Sequence, residues 1–432
     1  MSATVIKSDA TSIIIQVEIP LGESKGMLGK ENLIQQGVNQ AGLLATELAL
    51  SQFDTDGNPI TVDERKLTSK GQVPKAYQTP YGEVVLYRHV YLYFVRSTKY
   101  QSNAGGCTFC PLDNDARIII SSTPKLAQMV GSKYAETKGS FVQKDFKDNH
   151  GRHLSKQFIQ SLSHSVGSLV AEKKTWNYKI DVPTKEVSAI GLSLDGTCML
   201  ICNDGYRQAM VGSISMYDSQ GERLYSRYTA MSPEYGKERF KKAFELEITK
   251  VHKLFPQAKY IGIADGAADN WTFLQSHVEE QILDFYHASE YLSQVSKAAF
   301  KHEHQEKEWY EKVYKTLKDK KNGAKLVLKE LKTLLKKHIK DKKKEIIKKA
   351  ITYFENHLYQ MDYFNFKYNQ NNWPIGSGVI EAACKTIIKQ RLCHSGMKWT
   401  DEGARTVLAL RCFNKSDGMW EQFWNKIDRY GI

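Results

Sequence analysis

A chain of 432 residues that is 41% hydrophobic and 25% charged has the makeup of a globular protein with a sizeable core and room for two or three domains. It has no run of about 18 apolar residues, so no membrane span is expected, and the net charge of +13 points to a polyanionic partner, usually nucleic acid, with a merely soluble basic protein as the alternative. Seven cysteines, an odd number in a long chain, argue for reduced thiols and a cytoplasmic setting. The opening stretch, MSATVIKSDATSIIIQVEIP, lacks a basic flank followed by a long apolar core, so no export signal is expected.

Residues 1–120 read as a mixed α+β region. GLLATELALSQF (42–53) is a helix, GEVVLYRHVYLYFV (82–95) alternates as two strands, and SNAGGCTFCPLD (102–113) is a loop. Residues 121–180 read as three helical pieces. The first opens at Thr123 and Pro124, the second ends at NHGR, and the third carries Leu154, Phe158, Ile159, Leu162 and Val166 at helical spacing. That is the outline of a helix-turn-helix DNA-binding domain or of an ordinary helical connector.

The pattern changes at residue 181. VSAIGLSLDG, TCMLIC and QAMVGSISMYD read as three strands with a turn at 203–205. A long helix opening at Ser232 and Pro233 follows, then strand KYIGIADGA, helix NWTFLQSHV, strand QILDFYHA and helix SEYLSQVSKAAF. This order predicts an α/β, RNase H-like domain: a mixed sheet flanked by helices, with its first part over 181–300. Residues 301–365 read as an all-helical, lysine-rich insertion, with seventeen lysines against seven acids between Gln305 and Ala350. Leu326, Leu328, Leu331, Leu334, Leu335, Ile339, Ile346 and Ile347 supply the apolar face of a helical hairpin. Residues 366–432 return to the core as C-terminal helices, in which Trp420 and Trp424 are core residues.

Three acids stand out. Asp195 and Asp265 each close an apolar strand and are each followed by glycine. Alone, either is an ordinary turn residue; on neighbouring strands they make a pair exposed at one sheet end. Glu381 lies near the start of a helix that follows WPIGSG, among the cations Lys385, Lys389, Arg391 and Lys398. A third carboxylate completes an all-oxygen site for two hard cations, which polarise a phosphodiester and activate water or a 3′-hydroxyl. The neighbouring cations then hold DNA phosphates, or Lys385 simply pairs with Glu381 one turn away.

SLDGT, IADGAADNW, ILDFYHASEYL and PIGSGVIEAACKTIIKQRLCHSGMKWT, spread over 187–411, resemble the signature blocks of the ISKra family of bacterial insertion-sequence transposases. CTFCPLD resembles a short motif that precedes the DNA-binding region in that family. The resemblance implies a DDE enzyme in which Asp195, Asp265 and Glu381 are the catalytic and metal-binding triad. It also implies two Mg²⁺ ions as cofactors, with Mn²⁺ as a substitute, and DNA partners comprising the element-end inverted repeats and target DNA. A homodimer or larger assembly and a nucleoid-associated bacterial setting follow from it as well. DFYH is similar to the C/D-x-x-H element of hAT and Mutator transposases, which would put Asp284 and His287 near the active site; otherwise it is a polar strand end that caps the next helix.

Cys107 and Cys110 form a single C-x-x-C. A zinc site there needs two more ligands, such as His89, His150 or His153, and loop thiols are the alternative. Pro111 follows at once, so no redox helix start is expected. Cys198, Cys202, Cys384, Cys393 and Cys412 read as small buried residues. Lys398 and Trp399 pair a cation with an aromatic, suited to stacking on a base or to the core. No G-x-x-x-x-G-K-[ST] motif occurs, so no nucleotide-driven step is expected.

Overall fold

The computed structural model describes residues 1–9, 11–94, 106–234, 237–336, 341–369 and 372–432. It divides into two compact units, Met1–Tyr178 with Trp420–Ile432, and Lys179–Met419. The last helix therefore groups with the N-terminal unit and not with the C-terminal helices of the second.

The first unit opens with an antiparallel hairpin, β1 (Ser2–Ser8) and β2 (Ile13–Glu18), followed by α1 (Met27–Ser51). Helix α1 starts 15 residues before the helix read at Gly42. Its only buried residues are Gly37 and Leu50, so its first half carries no apolar stripe to detect. A four-stranded sheet runs in the order β3 (Ile60–Val62), β4 (Arg65–Gln78), β5 (Glu83–Phe94) and β6 (Gly106–Phe109). The stretch read as two strands is the single strand β5, paired with β4 from Gln78↔Glu83 to Thr68↔Leu92. The expected loop holds β6 and a short helix α2 (Pro111–Asp115), while 102–105 lie outside the described residues. Pro111 starts that helix because the first helical position has no use for an N–H.

Three helices then pack on one another: α3 (Pro124–Glu136), α4 (Gly139–His150) and α5 (Lys156–Glu172). Leu126 and Val130, Val142 and Phe146, and Ile159, Leu162 and Val166 are their fully buried contacts. Ser155 caps α5 by accepting from Phe158 N at 3.1 Å.

In the second unit, β7 (Ala189–Ile201), β8 (Gly205–Tyr217) and β9 (Arg223–Met231) form an antiparallel meander. Then come α6 (Glu238–Leu254), β10 (Lys259–Ala264), α7 (Ala268–Leu274), β11 (Glu280–Leu283) and α8 (Phe285–Ala299). The sheet order is β11-β10-β7-β8-β9, with β10 parallel to both β7 and β11. Three strands, helix, strand, helix, strand, helix is the order read from the sequence, but several boundaries differ. VSAIGLSLDG and TCMLIC are one strand, so Asp195 sits in the middle of β7 rather than at its end. The third strand of the meander, RLYSRYTAM, escaped the reading. Helix α6 begins at Glu238, not Ser232, and Glu234 Oε1 accepts from Phe240 N at 2.8 Å at its start. Strand β11 stops at Leu283, and DFYH opens a helix.

The lysine-rich segment is three helices, not a hairpin: α9 (Glu303–Asp319), α10 (Gly323–Leu335) and α11 (Asp341–Asn356). Trp309, Val313 and Leu317, then Val327, Leu331 and Leu334, then Ile347, Phe354 and Ile351 join the same hydrophobic core as the sheet. Val327, Leu331 and Leu334 form the i, i+4, i+7 stripe of α10. Leu326 lies off it and is 46% exposed, contrary to its expected place on the apolar face. Ile339 lies outside the described residues.

The final stretch carries α12 (Gly378–Ala383), a π-helical turn over Cys384–Lys389, α13 (Gln390–Leu392), α14 (Asp401–Lys415) and, in the first unit, α15 (Met419–Tyr430). Trp420 and Trp424 are each 6% exposed, core residues as read. Thr400 caps α14, its hydroxyl accepting from Gly403 N at 3.1 Å. Thr400→Ala is expected to lower stability by about 1 kcal/mol, measured as a shift in the urea midpoint at unchanged slope. Among the described residues, no helix is long and apolar enough to cross a membrane.

Candidate active site

The pairing of β7 with β10 fixes the first two carboxylates. Lys259 lies opposite Ala189 and Gly262 opposite Leu192. Pairing stops there, three residues short of Asp195 and Asp265, which the same register carried on would bring abreast. Strand β10 ends at Ala264, while β7 continues with β8 as a two-stranded arm in which Asp195 pairs with Val211. Past Leu192 the β7 edge needs new partners. Asn270 Nδ2 donates to Leu194 O at 3.3 Å, Cys393 Sγ to Cys198 O at 3.6 Å, and Trp399 N to Leu200 O at 3.1 Å; Cys202 N in turn donates to Trp399 O at 2.8 Å.

Both aspartates are half-buried. Asp195 Oδ1 accepts from Gly196 N at 2.6 Å. Asp265 Oδ1 accepts from Ala267 N at 3.1 Å and from Asn270 Nδ2 at 3.4 Å, so Asn270 spans the two strand ends. Asp265 Oδ2 accepts no hydrogen bond among the described residues.

Glu381 approaches from α12, which packs on β7 and β8. One turn on, the buried Cys384 donates its thiol to Asp195 Oδ2 at 3.5 Å. Burial, and then the Asp195 charge, push the Cys384 thiol up to about 12, which keeps it a donor. Glu381 and Cys384, three residues apart, share a helix face. The exposed Glu381 carboxylate accepts from Ser377 Oγ at 2.8 Å, and among the described residues it pairs with no cation, Lys385 included.

Asp284, fully buried, ties these pieces together. It caps α8 by accepting from His287 N at 2.8 Å, and its other oxygen accepts from Ser377 N. Its own N–H donates to Ala264 O at 2.8 Å, beside Asp265, and Phe285 N donates to Ile375 O at 2.9 Å. Gly376 lies flat in this junction: a Cβ there would come within 2.8 Å of the Tyr286 ring. The capping alternative thus describes Asp284, and the same residue links the end of β10, through its backbone N–H, to the start of α12, through its carboxylate. His287 is half-exposed, with Nδ1 3.7 Å from Glu290 Oε2 on its own helix.

Asp195, Asp265 and Glu381 therefore come to one end of the sheet. They do not form a closed ligand set: the described residues contain no group of three acidic, histidine or cysteine side chains able to hold one metal ion. Of the four cations, Lys385, Lys389 and Lys398 are exposed. Arg391 is only 2% exposed, with its guanidinium 5.3 Å from the centre of the Trp399 ring, so it is not the surface cation expected. The π-helical turn accounts for this, because a wider turn shifts the face of every residue after it. Trp399 is committed as well, its indole N–H donating to Leu392 O at 2.9 Å and its backbone bridging β7.

Cys110 is half-buried, and burial raises its thiol. The Cys107 side chain lies outside the described residues, and His89 Nδ1 is 2.9 Å from Asp54 Oδ2, so a zinc set is not assembled among those described. Cys198 and Cys393 are exposed rather than buried, at a stretch where β7 pairs with β8 but has lost its β10 neighbour. Ser377 and Asn270 do not stand out in the sequence, and Cys384 reads there only as a small buried residue. Only Cys384 left a trace, its i+3 spacing from Glu381. No protein-family model matches the chain, and no curated protein is significantly similar to it.

Proposed function

We propose that the chain is a DDE transposase with an RNase H-like core, acting on the DNA ends of an insertion sequence. The observation that carries this reading is the convergence of Asp195, Asp265 and Glu381, from three separate elements, at one end of a 3-2-1-4-5 sheet. The strand order, with only the second strand antiparallel to the rest, supports the RNase H-like assignment, and the motif resemblance supports the family.

The donors suit hard divalent cations. All are carboxylate oxygens, and among the described residues one oxygen of Asp265 is uncommitted and no lysine or arginine neutralises any of the three. Two Mg²⁺ ions held by these residues would polarise the scissile phosphodiester and activate water or a 3′-hydroxyl. Ser377 holds the Glu381 carboxylate at the helix start, and Cys384 and Asn270 fix the two aspartates. Asp284 keeps the Glu381 helix in register with the end of β10.

Exposed Lys385, Lys389 and Lys398 would hold phosphates next to the reacting bond. Replacing Lys385 and Lys389 by alanine is expected to weaken DNA binding about equally across sequences. The slope of log affinity against log salt should fall by about 1 per lysine, as read by fluorescence anisotropy at several salt concentrations.

The test uses pre-cleaved element-end DNA, target DNA and Mg²⁺ or Mn²⁺. Joined products support a transposase. Hydrolysis without joining supports an RNase H-fold nuclease. Binding with no metal-dependent chemistry would leave a DNA-binding protein descended from an enzyme and would overturn the proposal.

A further inference from the structure

We infer that Tyr353, on α11 of the lysine-rich segment, is a positioning residue for Asp265; the inference rests on the reading of Asp265 as a metal ligand. The need for it is visible in the sheet. Pairing of β10 with β7 ends at Gly262, and pairing with β11 ends at Ala264. The Asp265 carbonyl therefore leaves the sheet without a strand partner, at a residue whose side chain must be aimed. Tyr353 supplies the missing donor, its hydroxyl bonding to Asp265 O at 3.1 Å.

Two further contacts hold that hydroxyl in place. The Tyr353 ring stacks on Tyr291 of α8, with centroids 4.0 Å apart and planes 16° from parallel. Just past the end of α11, the His357 ring packs against the Tyr353 ring with centroids 5.0 Å apart; its Nδ1 meets Gln360 Oε1 at 2.7 Å, and Gln360 Nε2 donates to Gln281 of β11 at 2.6 Å. The chain turns directly beneath this pair. Gly266 has φ +95°, and a Cβ on it would come within 3.2 Å of the Tyr353 hydroxyl and 3.3 Å of His357 Nε2. The lysine-rich segment thus has a second task besides its charge: its third helix buttresses the turn that presents Asp265. A carboxylate ligand whose support is removed typically loses affinity for its ion.

The experiment uses the full chain and Tyr353→Phe, which removes the hydroxyl and keeps the stacked ring. Tyr359→Phe, at a tyrosine that is 93% exposed on the same segment, is the control. Two readouts are taken without DNA: Mn²⁺ binding by electron paramagnetic resonance, and hydrogen exchange of the peptide covering 259–274. Y353F is expected to bind Mn²⁺ about tenfold more weakly and to exchange faster around 264–268, with an unchanged melting temperature, while Y359F matches wild type. Wild-type binding and exchange in Y353F would overturn the inference. Wild-type protein that binds no Mn²⁺, or binds it as well after Asp265→Asn, would instead overturn the assignment of Asp265 as a ligand. If Y353F melts early, Tyr291→Leu, which removes the stacking ring and leaves the hydroxyl, must give the same two changes or the inference fails.

Discussion

Asp195→Asn is expected to lower metal-dependent DNA cleavage by about 10³-fold or more while leaving the protein folded. The magnitude follows from what a ligand carboxylate does. Metal stabilisation of the charge developing in phosphoryl transfer is worth several kcal/mol, and each 1.36 kcal/mol is about tenfold in rate. Asparagine keeps an oxygen at the position and removes the charge that attracts the cation. The fold should tolerate it, because Asp195 is half-buried and, among the described residues, its side chain accepts only a bond from its own neighbour's amide and a long thiol contact. The check is a single-turnover cleavage time course beside a denaturant melt. Equal cleavage by the variant and the wild type would remove Asp195 from the chemistry. Cleavage lost together with the fold would make Asp195 structural instead.

The sequence made the carboxylates visible for a reason that differs from their actual setting. Asp195 and Asp265 were noticed as the ends of two apolar runs, each followed by glycine. For Asp265 that is its real position. For Asp195 it is not, since β7 runs on for six residues past it. The run of apolar residues stops there because the β10 neighbour stops there, so one face of the strand loses its cover while the backbone stays extended. Apolar periodicity reports burial, and burial ends sooner than the strand. A different cause hid β9, which is buried along most of its length but has its apolar pattern broken by the buried Arg227. The lack of a buried face hid the first half of α1. What could not be read at all was the network between elements. Asp284 to Ser377, Cys384 to Asp195 and Tyr353 to Asp265 O join residues 88 to 189 positions apart, and no local pattern encodes such pairs.

Glu247→Ala is expected to cost about 3–5 kcal/mol of stability, the largest effect of any single change outside the candidate site. Arg227 of β9 and Glu247 of α6 are 2% and 7% exposed, and Arg227 Nε lies 2.7 Å from Glu247 Oε2. The contact has the distance of an ion pair without the alignment of a hydrogen bond, and among the described residues no nitrogen of the Arg227 guanidinium finds an acceptor in good geometry. Lys250 holds the other oxygen of Glu247 at 2.8 Å. Removing the carboxylate would strand a buried guanidinium, whereas removing both charges would not. An Arg227→Met, Glu247→Leu double variant is therefore expected to be about as stable as wild type or more so, because a poorly bonded buried pair recovers little of its desolvation cost. Urea melts of the two single variants and the double variant measure the coupling. The pair joins α6 to β9, two strands away from Asp195 in the sheet. The folded fraction of every variant should accordingly keep wild-type metal dependence, which separates the platform that carries the carboxylates from the carboxylates themselves. A double variant as unstable as Glu247→Ala would mean that the two charges hold α6 on the sheet by attraction after all.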